Sequence, residues 1–157
     1  MRRKRNYKRE HKPDAIYNRV DIGRFINYLM KDGKKSIAEK NLYKAFELIQ
    51  KETGEDPVKV FEKAIANASP LLEVVSRRIG GASYQIPVEV RSERKFVLGA
   101  KWIIAASREK KGKPMYMKLA EELILASKNE GGAVKKKQDM HKVAEANRAF
   151  AHFLKTN

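Results

Sequence analysis

Histidine and carboxylate side chains are the groups that could give this chain catalytic or metal chemistry. The three histidines are His11, His141 and His152. His141 and His152 are predicted on one helix face about 16 Å apart, too far to share a metal ion. His141 and Glu145 stand four residues apart, which favours a surface pair over a catalytic dyad. These spacings predict neither a metal site nor an acid-base pair.

The remaining motifs point away from catalysis as well. Glu121 and Glu122 are adjacent and would face different sides of a helix, so they do not form a magnesium-binding cluster. The sequence has no cysteine, which excludes disulfides, thiolate zinc sites and cysteine nucleophiles. It also lacks the glycine-rich fingerprints of serine hydrolases and dinucleotide-binding proteins. We therefore expect no enzyme, no cofactor and no small-molecule substrate.

Positive charge is the property that could do chemistry here. Thirty-five Lys and Arg residues face 19 acidic ones, for a net charge of +16 in 157 residues. Such an excess repels itself unless a polyanion neutralises it, and DNA, RNA or an anionic membrane would all serve. No apolar run approaches the ~18 residues of a membrane span, and no apolar segment follows the basic N-terminus. We expect neither a secreted nor an integral membrane protein.

The cations fall into five groups, each predicted at a helix end or turn, with Lys135–Lys137 placed before the sixth helix. They are the arm 1–12, Lys34 with Lys35, Arg77 and Arg78 with residues 91–95, residues 108–113, and residues 135–142. The turn around Gly33 resembles a phosphate-binding loop but has Tyr28 where a second glycine is required, so only point contacts to phosphate are predicted for Lys34 and Lys35. Separated contact points suit folded RNA better than regular duplex DNA.

A β-hairpin at 71–91 is the only part of the sequence that reads clearly as β. Gly80 and Gly81 can take the positive φ angles of a two-residue primed turn between runs rich in Val, Ile and Tyr. The resulting register pairs Ile79 with Ala82 and Arg77 with Tyr84, and it places Val75, Ile86, Val88 and Val90 toward the core. The alternative is an ordinary surface hairpin whose arginines are only solvated.

Periodic apolar residues predict six helices around this hairpin. The predicted spans are Val20–Met30 with Gly33 as C-cap, a second helix through Ile37 to Gly54, a third from Asp56 and Pro57 to Pro70, a fourth from an N-cap at Ser92 to about Lys110, a fifth from Met115 to Gly131 and Gly132, and a sixth through Met140, Val143 and Leu154. Val58 and Ile37 are assigned to buried faces. Arg94 and Lys95 oppose the dipole of the fourth helix, which suggests that they serve something outside it.

The N-terminal segment is predicted to be a separate basic arm. Residues 1–12 carry seven Lys or Arg and one acid, a composition that cannot bury enough apolar surface to fold alone. The arm would order on phosphate, or it could be a solubilising tail. We therefore expect a mainly α protein with a basic arm at 1–12, a single helical domain at 13–157 and one protruding hairpin.

Three segments closely resemble the bacterial type of the small-subunit ribosomal protein seven family, and they follow one another along the chain in the family's order. They are Leu71–Arg91, Asp32-Gly33-Lys34-Lys35-Ser36, and Val134–Lys137 followed by His141 and Ala144–His152. The resemblance implies a structural constituent of the small ribosomal subunit in the cytoplasm, with an organellar ribosome as the alternative. It implies a protein that binds the 3′ major domain of ribosomal RNA, nucleates assembly of the subunit head and lies near the transfer-RNA exit site. Ribosomal proteins nine and eleven are implied neighbours, beside messenger and transfer RNA.

The contacts assigned on this basis form two sets. The ribosomal-RNA set comprises Arg2, Arg3, Lys4, Arg5, Lys8, Arg9, Lys34, Lys35, Arg91, Arg94, Lys95, Arg108, Lys110, Lys111, Lys113 and Met115. The set near messenger and transfer RNA comprises Arg77, Arg78, Gly80, Gly81, Ser83, Tyr84, Lys135, Lys136, Lys137, Lys142 and Arg148. An architectural DNA-binding protein and an RNA-cleaving or RNA-modifying enzyme using His141 or Glu145 are the alternatives.

Overall fold

The computed structural model describes the backbone of residues 11–154 and the side chains of residues 11–152. It divides into two units, residues 1–40 and 41–157. Within the described range, six α-helices and one antiparallel hairpin confirm the predicted, mainly α class. The helices are α1 (Val20–Leu29), α2 (Lys35–Thr53), α3 (Pro57–Ala68), α4 (Ser92–Glu109), α5 (Met115–Ser127) and α6 (Gly132–Ala146), the strands are β1 (Leu72–Ile79) and β2 (Ala82–Glu89), and a 3-10 segment covers Arg148–Leu154.

In the first unit, the chain before α1 is held against that helix. The Asp14 carboxylate is buried and accepts hydrogen bonds from the backbone N–H groups of Ile16 and Tyr17, at 3.1 and 3.0 Å. Gly23 lets the backbone come close, because a Cβ there would stand 2.8 Å from the carbonyl oxygen of Lys12. A side chain at position 23 would therefore push the segment that precedes α1 away from this helix.

In the second unit, α3 begins as its sequence predicts. Asp56 accepts a hydrogen bond from the N–H of Val58 at 3.0 Å, and Pro57 occupies the first helical turn. Apolar side chains of α2 and α3 interlock, with the Phe46 and Phe61 rings packed edge to face at 5.9 Å between centroids. This pair anchors a core that the later helices extend.

Small residues set the distances between the remaining helices of this unit. A Cβ on Gly99 of α4 would stand 2.8 Å from the Ser69 hydroxyl after α3, and one on Gly132 would stand 3.0 Å from the Ala106 Cβ. Helix α4 therefore packs closely against both the end of α3 and the start of α6. The hairpin leaves this helical layer between α3 and α4.

Several predicted core positions are wrong. Ile37 is 55% exposed, Val143 is 43% exposed and Val75 is 39% exposed, while Val58 is half-buried. From Val75 to Arg78 every residue of β1 is exposed, because the hairpin departs from the helices sooner than strict alternation predicts. Ile86 and Val90 are buried, as predicted.

Helix ends also differ from the prediction. Helix α1 is capped at Met30 rather than Gly33, and Ser92 is the first residue of α4 rather than its cap, which is Arg91. Helix α5 ends at Ser127, and Gly131, at φ 93°, is the N-cap of α6. The glycine pair thus begins α6 instead of ending α5, and residues 147–154 leave the α-helix for a turn and the 3-10 segment.

Candidate nucleic-acid interface

The hairpin carries two exposed arginines close to its tip. The observed register pairs Ile79 with Ala82, Arg78 with Ser83 and Arg77 with Tyr84, which confirms the prediction. Gly80 and Gly81 have φ angles of 57° and 90°, the positive values that a primed turn requires. Arg77 and Arg78 are therefore displayed on opposite faces, where either could meet a phosphate.

The base of the hairpin is fastened to the helices by polar contacts. Arg94 Nε donates to both carboxylate oxygens of Glu73 on β1, at 2.8 and 2.7 Å. The backbone N–H of Leu71 donates to His141 Nε2 of α6 at 3.1 Å. Arg94 thus serves a group outside its own helix, as its unfavourable position suggested, and that group is an acid of this chain.

An aromatic contact fastens the hairpin on its second strand. The Tyr84 and Phe150 rings lie 5.3 Å apart between centroids at 57°, which joins β2 to the 3-10 segment.

His141 is partly buried, and this burial, reinforced by the positive charge of Lys137, lowers the pKa of its imidazole. The neutral imidazole can accept the Leu71 hydrogen bond, whereas the protonated ring has no acceptor left. His141 is therefore a positioning residue of the hairpin.

The basic loop after α4, residues 110–114, is positioned by a buried carboxylate. Glu122 of α5 is 1% exposed and accepts the N–H of Ala133 at 3.0 Å, at the first turn of α6. The Lys110 ammonium lies 3.0 Å from the other carboxylate oxygen. One buried acid thus connects the loop, α5 and α6, a role that the sequence did not reveal because its partners are 11 and 12 residues away.

The last lysine of this loop, Lys113, pairs with Glu121, the more exposed of the two adjacent acids on α5. Lys113 Nζ donates to the Glu121 carboxylate. This hydrogen bond raises the pKa of the Lys113 ammonium and lowers the pKa of the Glu121 carboxyl. Glu121 also lies 3.9 Å from the Lys110 ammonium, so the two adjacent glutamates share Lys110 although they differ greatly in burial.

The lysines predicted to precede the sixth helix lie within α6. Lys136 Nζ donates to Glu109 of α4 at 2.7 Å, and Lys137 Nζ donates to the carbonyl oxygen of Asn67 at 2.8 Å. The Asn67 amide in turn donates to the carbonyls of Ala126 and Ser127, at 2.9 and 3.0 Å, and so completes the end of α5. The interpretation that every cationic group sits at a helix end is therefore wrong for this one.

In the first unit, the predicted phosphate contacts lie at the start of α2. Lys34 is in the turn closed by its own N–H, which donates to the Lys31 carbonyl at 2.9 Å, and Gly33 has a φ of 73°. Lys35 is the first helical residue and approaches Glu39 at 3.8 Å, an i, i+4 pair. Both lysines are exposed.

The assigned residues differ in exposure. The exposed ones are Lys34, Lys35, Arg77, Arg78, Gly80, Gly81, Ser83, Arg91, Arg94, Arg108, Lys111, Lys113, Lys135, Lys142 and Arg148, and the half-buried ones are Tyr84, Lys95, Lys110, Met115, Lys136 and Lys137. Arg2, Arg3, Lys4, Arg5, Lys8 and Arg9 lie outside the described residues. Exposure does not separate the cations that hold the fold from the others, because exposed Arg94 and Lys113 pair with acids of this chain just as half-buried Lys110 does.

The histidine and carboxylate side chains of the described residues are dispersed. Between residues 11 and 154, no three His, Asp or Glu side chains stand close enough to hold a metal ion together. His141 and His152, predicted on one helix, lie in α6 and the 3-10 segment respectively. None of the helices in this range is long and apolar enough to cross a bilayer.

These features define a class: a basic, mainly helical binding protein that displays cations from a hairpin, a loop and helix termini. Comparison with known proteins makes the assignment specific. The family model described as "Ribosomal protein S7p/S5e" matches residues 1–148, and the chain belongs to this family.

The relatives are bacterial and match over almost their full length. The "Small ribosomal subunit protein uS7" of Pseudothermotoga lettingae is 53% identical over 152 residues, 97% of this chain and 98% of the relative. The protein of the same name from Thermotoga maritima is 52% identical over 153 residues, 98% of this chain and 99% of the relative. Membership confirms the resemblance, the structural and non-enzymatic role in the small ribosomal subunit, and the place of work in the cytoplasmic ribosome.

Proposed function

We propose that this protein binds small-subunit ribosomal RNA directly, at the 3′ major domain, and nucleates assembly of the subunit head. The observation that carries the proposal is the display of exposed cations on separate elements of a chain with net charge +16. Folded RNA offers phosphates in many directions and is recognised largely by shape, so cations on a hairpin, a loop and helix termini fit it. Family membership supports the same conclusion.

Within this function, the loop after α4 and the start of α4 hold ribosomal RNA. The support is their preorganisation. Arg108 is presented by the last turn of α4, and buried Glu122 fixes Lys110 and thereby the backbone that presents Lys111 and Lys113. A loop already held in place loses less conformational entropy on binding. The arm at 1–12 contributes further phosphate contacts, and residues 13–157 form the helical RNA-binding domain.

The hairpin and α6 face messenger RNA and exit-site transfer RNA. Arg77 and Arg78 project close to a tip whose base is fastened by Arg94 and His141. Phe150 supports the hairpin nearer the tip, at Tyr84 opposite Arg77. A tip of this kind suits RNA that must pass by, because it reaches out without carrying core contacts. Ribosomal proteins nine and eleven are the proposed protein neighbours, as the family resemblance implies.

Filter binding at equal salt tests the proposal. The protein should bind a fragment of the 3′ major domain more tightly than a DNA duplex of equal length, with an affinity that falls by roughly 0.7 to 0.9 log units per phosphate contact for each decade of salt. Tighter binding to the duplex would overturn it in favour of an architectural DNA-binding protein.

Paired substitutions test the division of labour. Changing Arg108 and Lys111 to Gln should weaken binding to the fragment and make its salt slope shallower by about one to two contacts. The matched change of Arg77 and Arg78 to Gln removes the same charge and should leave fragment binding within about threefold, while lowering the affinity of assembled subunits for exit-site transfer RNA. Equal loss of fragment affinity in both variants would contradict the division.

A further inference from the structure

An amphipathic groove runs between the hairpin, α4 and α6. It has a volume of about 490 Å³, within the range of small-molecule and base-sized sites. Its apolar lining comes from Val74 on β1, Trp102 on α4, and Met140 and Val143 on α6. Val143 is 43% exposed, so the groove is open to solvent on the α6 side. The ribosomal-RNA contacts assigned above leave this groove unused.

The polar groups of the groove have a pattern of their own. Ser76 and Gln85 are cross-strand neighbours in the hairpin, so they project from the same face. Lys136 and Asp139 are three residues apart on α6, which places them side by side on one helix face. The groove therefore offers a flat aromatic surface with one cationic donor next to one anionic acceptor.

Guanine is the base whose hydrogen-bonding edge matches this pattern. Its O6 and N7 accept from a lysine ammonium, while its adjacent N1–H and N2–H donors can meet the two oxygens of one carboxylate. Adenine presents no such pair of donors, and uracil presents one N–H between two carbonyl oxygens that a carboxylate repels. An unpaired base also gains from stacking on an aromatic side chain.

The surrounding charge favours a nucleotide over an apolar peptide. Arg78 follows Ser76 by two residues and so shares the groove face of β1, toward the tip. Lys135 and Lys142 are exposed on α6. Lys136 is paired with the 67% exposed Glu109, and such surface pairs are weak enough to exchange for another acceptor. Phosphates flanking a bound base would thus meet cations at the groove's edges.

We propose that the groove between the hairpin, α4 and α6 binds a single unstacked guanine of an RNA strand, with Trp102 stacking on the base, Asp139 accepting its N1–H and N2–H, and Lys136 donating to O6. The inference rests on the proposed RNA-binding function and adds a base-specific contact to it. Asp139 is then a specificity residue within a surface that otherwise recognises phosphate.

The single tryptophan provides the readout. Hexauridylates carrying one central guanosine or adenosine, and hexauridylate itself, are titrated into the full protein while Trp102 fluorescence is recorded. The guanosine oligonucleotide should quench the fluorescence and bind about tenfold more tightly than the other two, the size of one good bidentate contact. Equal affinities would overturn the proposal.

Two substitutions make the test specific. Asp139→Asn should transfer the preference from guanosine to adenosine, because a side-chain amide matches N6 and N7 of adenine. Glu145→Gln removes the same charge from α6 outside the groove and should leave the guanosine preference unchanged. Val143→Phe should fill the groove and abolish the preference, whereas Val20→Phe, at a valine of similar exposure, should not.

The outcomes separate this inference from the proposed function. Filter binding of the ribosomal-RNA fragment accompanies every titration. If the fragment binds while no hexanucleotide quenches Trp102, or if the guanosine preference survives Asp139→Asn or Val143→Phe, the guanine site is wrong and the proposed function stands. If the fragment does not bind, the proposed function itself fails.

Discussion

Removing the Glu122 carboxylate should destabilise the protein more than any change to a neighbouring acid. In Glu122→Ala, the N–H of Ala133 loses its acceptor at a buried position, and Lys110 loses its closest acid. An unsatisfied buried donor costs about 1–3 kcal/mol, and the cavity and the lost charge pair add to it. We expect a loss of about 3 kcal/mol in the free energy of unfolding.

Glu122→Gln separates the two contributions. The amide oxygen of Gln can still accept from Ala133, so only the attraction to Lys110 is lost, and the expected cost is about 1 kcal/mol. Gly131→Ala approaches the same site from the other side, because a Cβ there would stand 2.9 Å from the Glu122 carboxylate at a φ of 93°. It should destabilise by about 1–3 kcal/mol.

Urea unfolding followed by circular dichroism measures these differences at constant denaturant slope. Glu121→Ala is the matched control, since Glu121 precedes Glu122 on the same helix but is 37% exposed, and it should cost at most about 1 kcal/mol. The reasoning is refuted if Glu122→Ala lowers the free energy of unfolding by less than about 1 kcal/mol, the loss expected of the Glu121→Ala control. It is also refuted if the Gln and Ala variants are equally unstable.

Two further predictions concern the hairpin base and α3. Burial lowers the pKa of His141 in the folded protein below its ordinary 6.5. Between the folded and the unfolded pKa, the unfolded chain therefore binds more protons than the folded one. The stability that the neutral ring contributes is complete above about pH 6.5 and is lost as the pH falls through the lowered pKa. Urea midpoints between pH 5 and 8 should show this fall, and His141→Gln should lack it; an identical fall in both would contradict the assignment. Asp56→Ala should lower stability by about 1 kcal/mol, while Asp56→Ser should restore most of it, and equal loss in both would show that the cap is unimportant.

Local signals in the sequence were sufficient for the hairpin and for α3. Gly80 and Gly81 determine the turn, and the turn determines every cross-strand pair. Asp56 and Pro57 likewise determine where α3 begins, because a side-chain acceptor and a missing donor satisfy the first turn. These features depend on residues within three or four positions of one another, which is the range that a pattern can report.

The failures have a common physical cause, which is contact between residues distant in the chain. The sequence predicts Gly131 and Gly132 at the end of a helix, but they begin the next one, where Glu122 accepts the N–H of Ala133 and α6 packs closely against Ala106. The sequence predicts that Glu121 and Glu122 face different sides of a helix, and they do differ in burial. It does not show which of the two is enclosed, because that depends on α6.

The candidate site divides along the same line. The sequence predicts which segments carry exposed cations, and the structure agrees for Arg77 and Arg78 on the hairpin, for Arg108 at the end of α4, and for Lys111 and Lys113 in the loop that follows. It does not identify the groups of this chain that Arg94, Lys110 and Lys137 bind, since these partners lie in other elements. The assigned contacts to RNA remain predictions.

The attachments of the hairpin have a mechanical consequence. Leu71 is tied to α6 and Glu73 to α4 at the foot, and Tyr84 is tied to the 3-10 segment nearer the tip, so a load on the tip reaches three elements at once. A two-stranded ribbon alone would bend at its root under such a load. This hairpin acts as a lever with a fixed base, and a strand of RNA that pulled on the tip would strain α6 and the 3-10 segment.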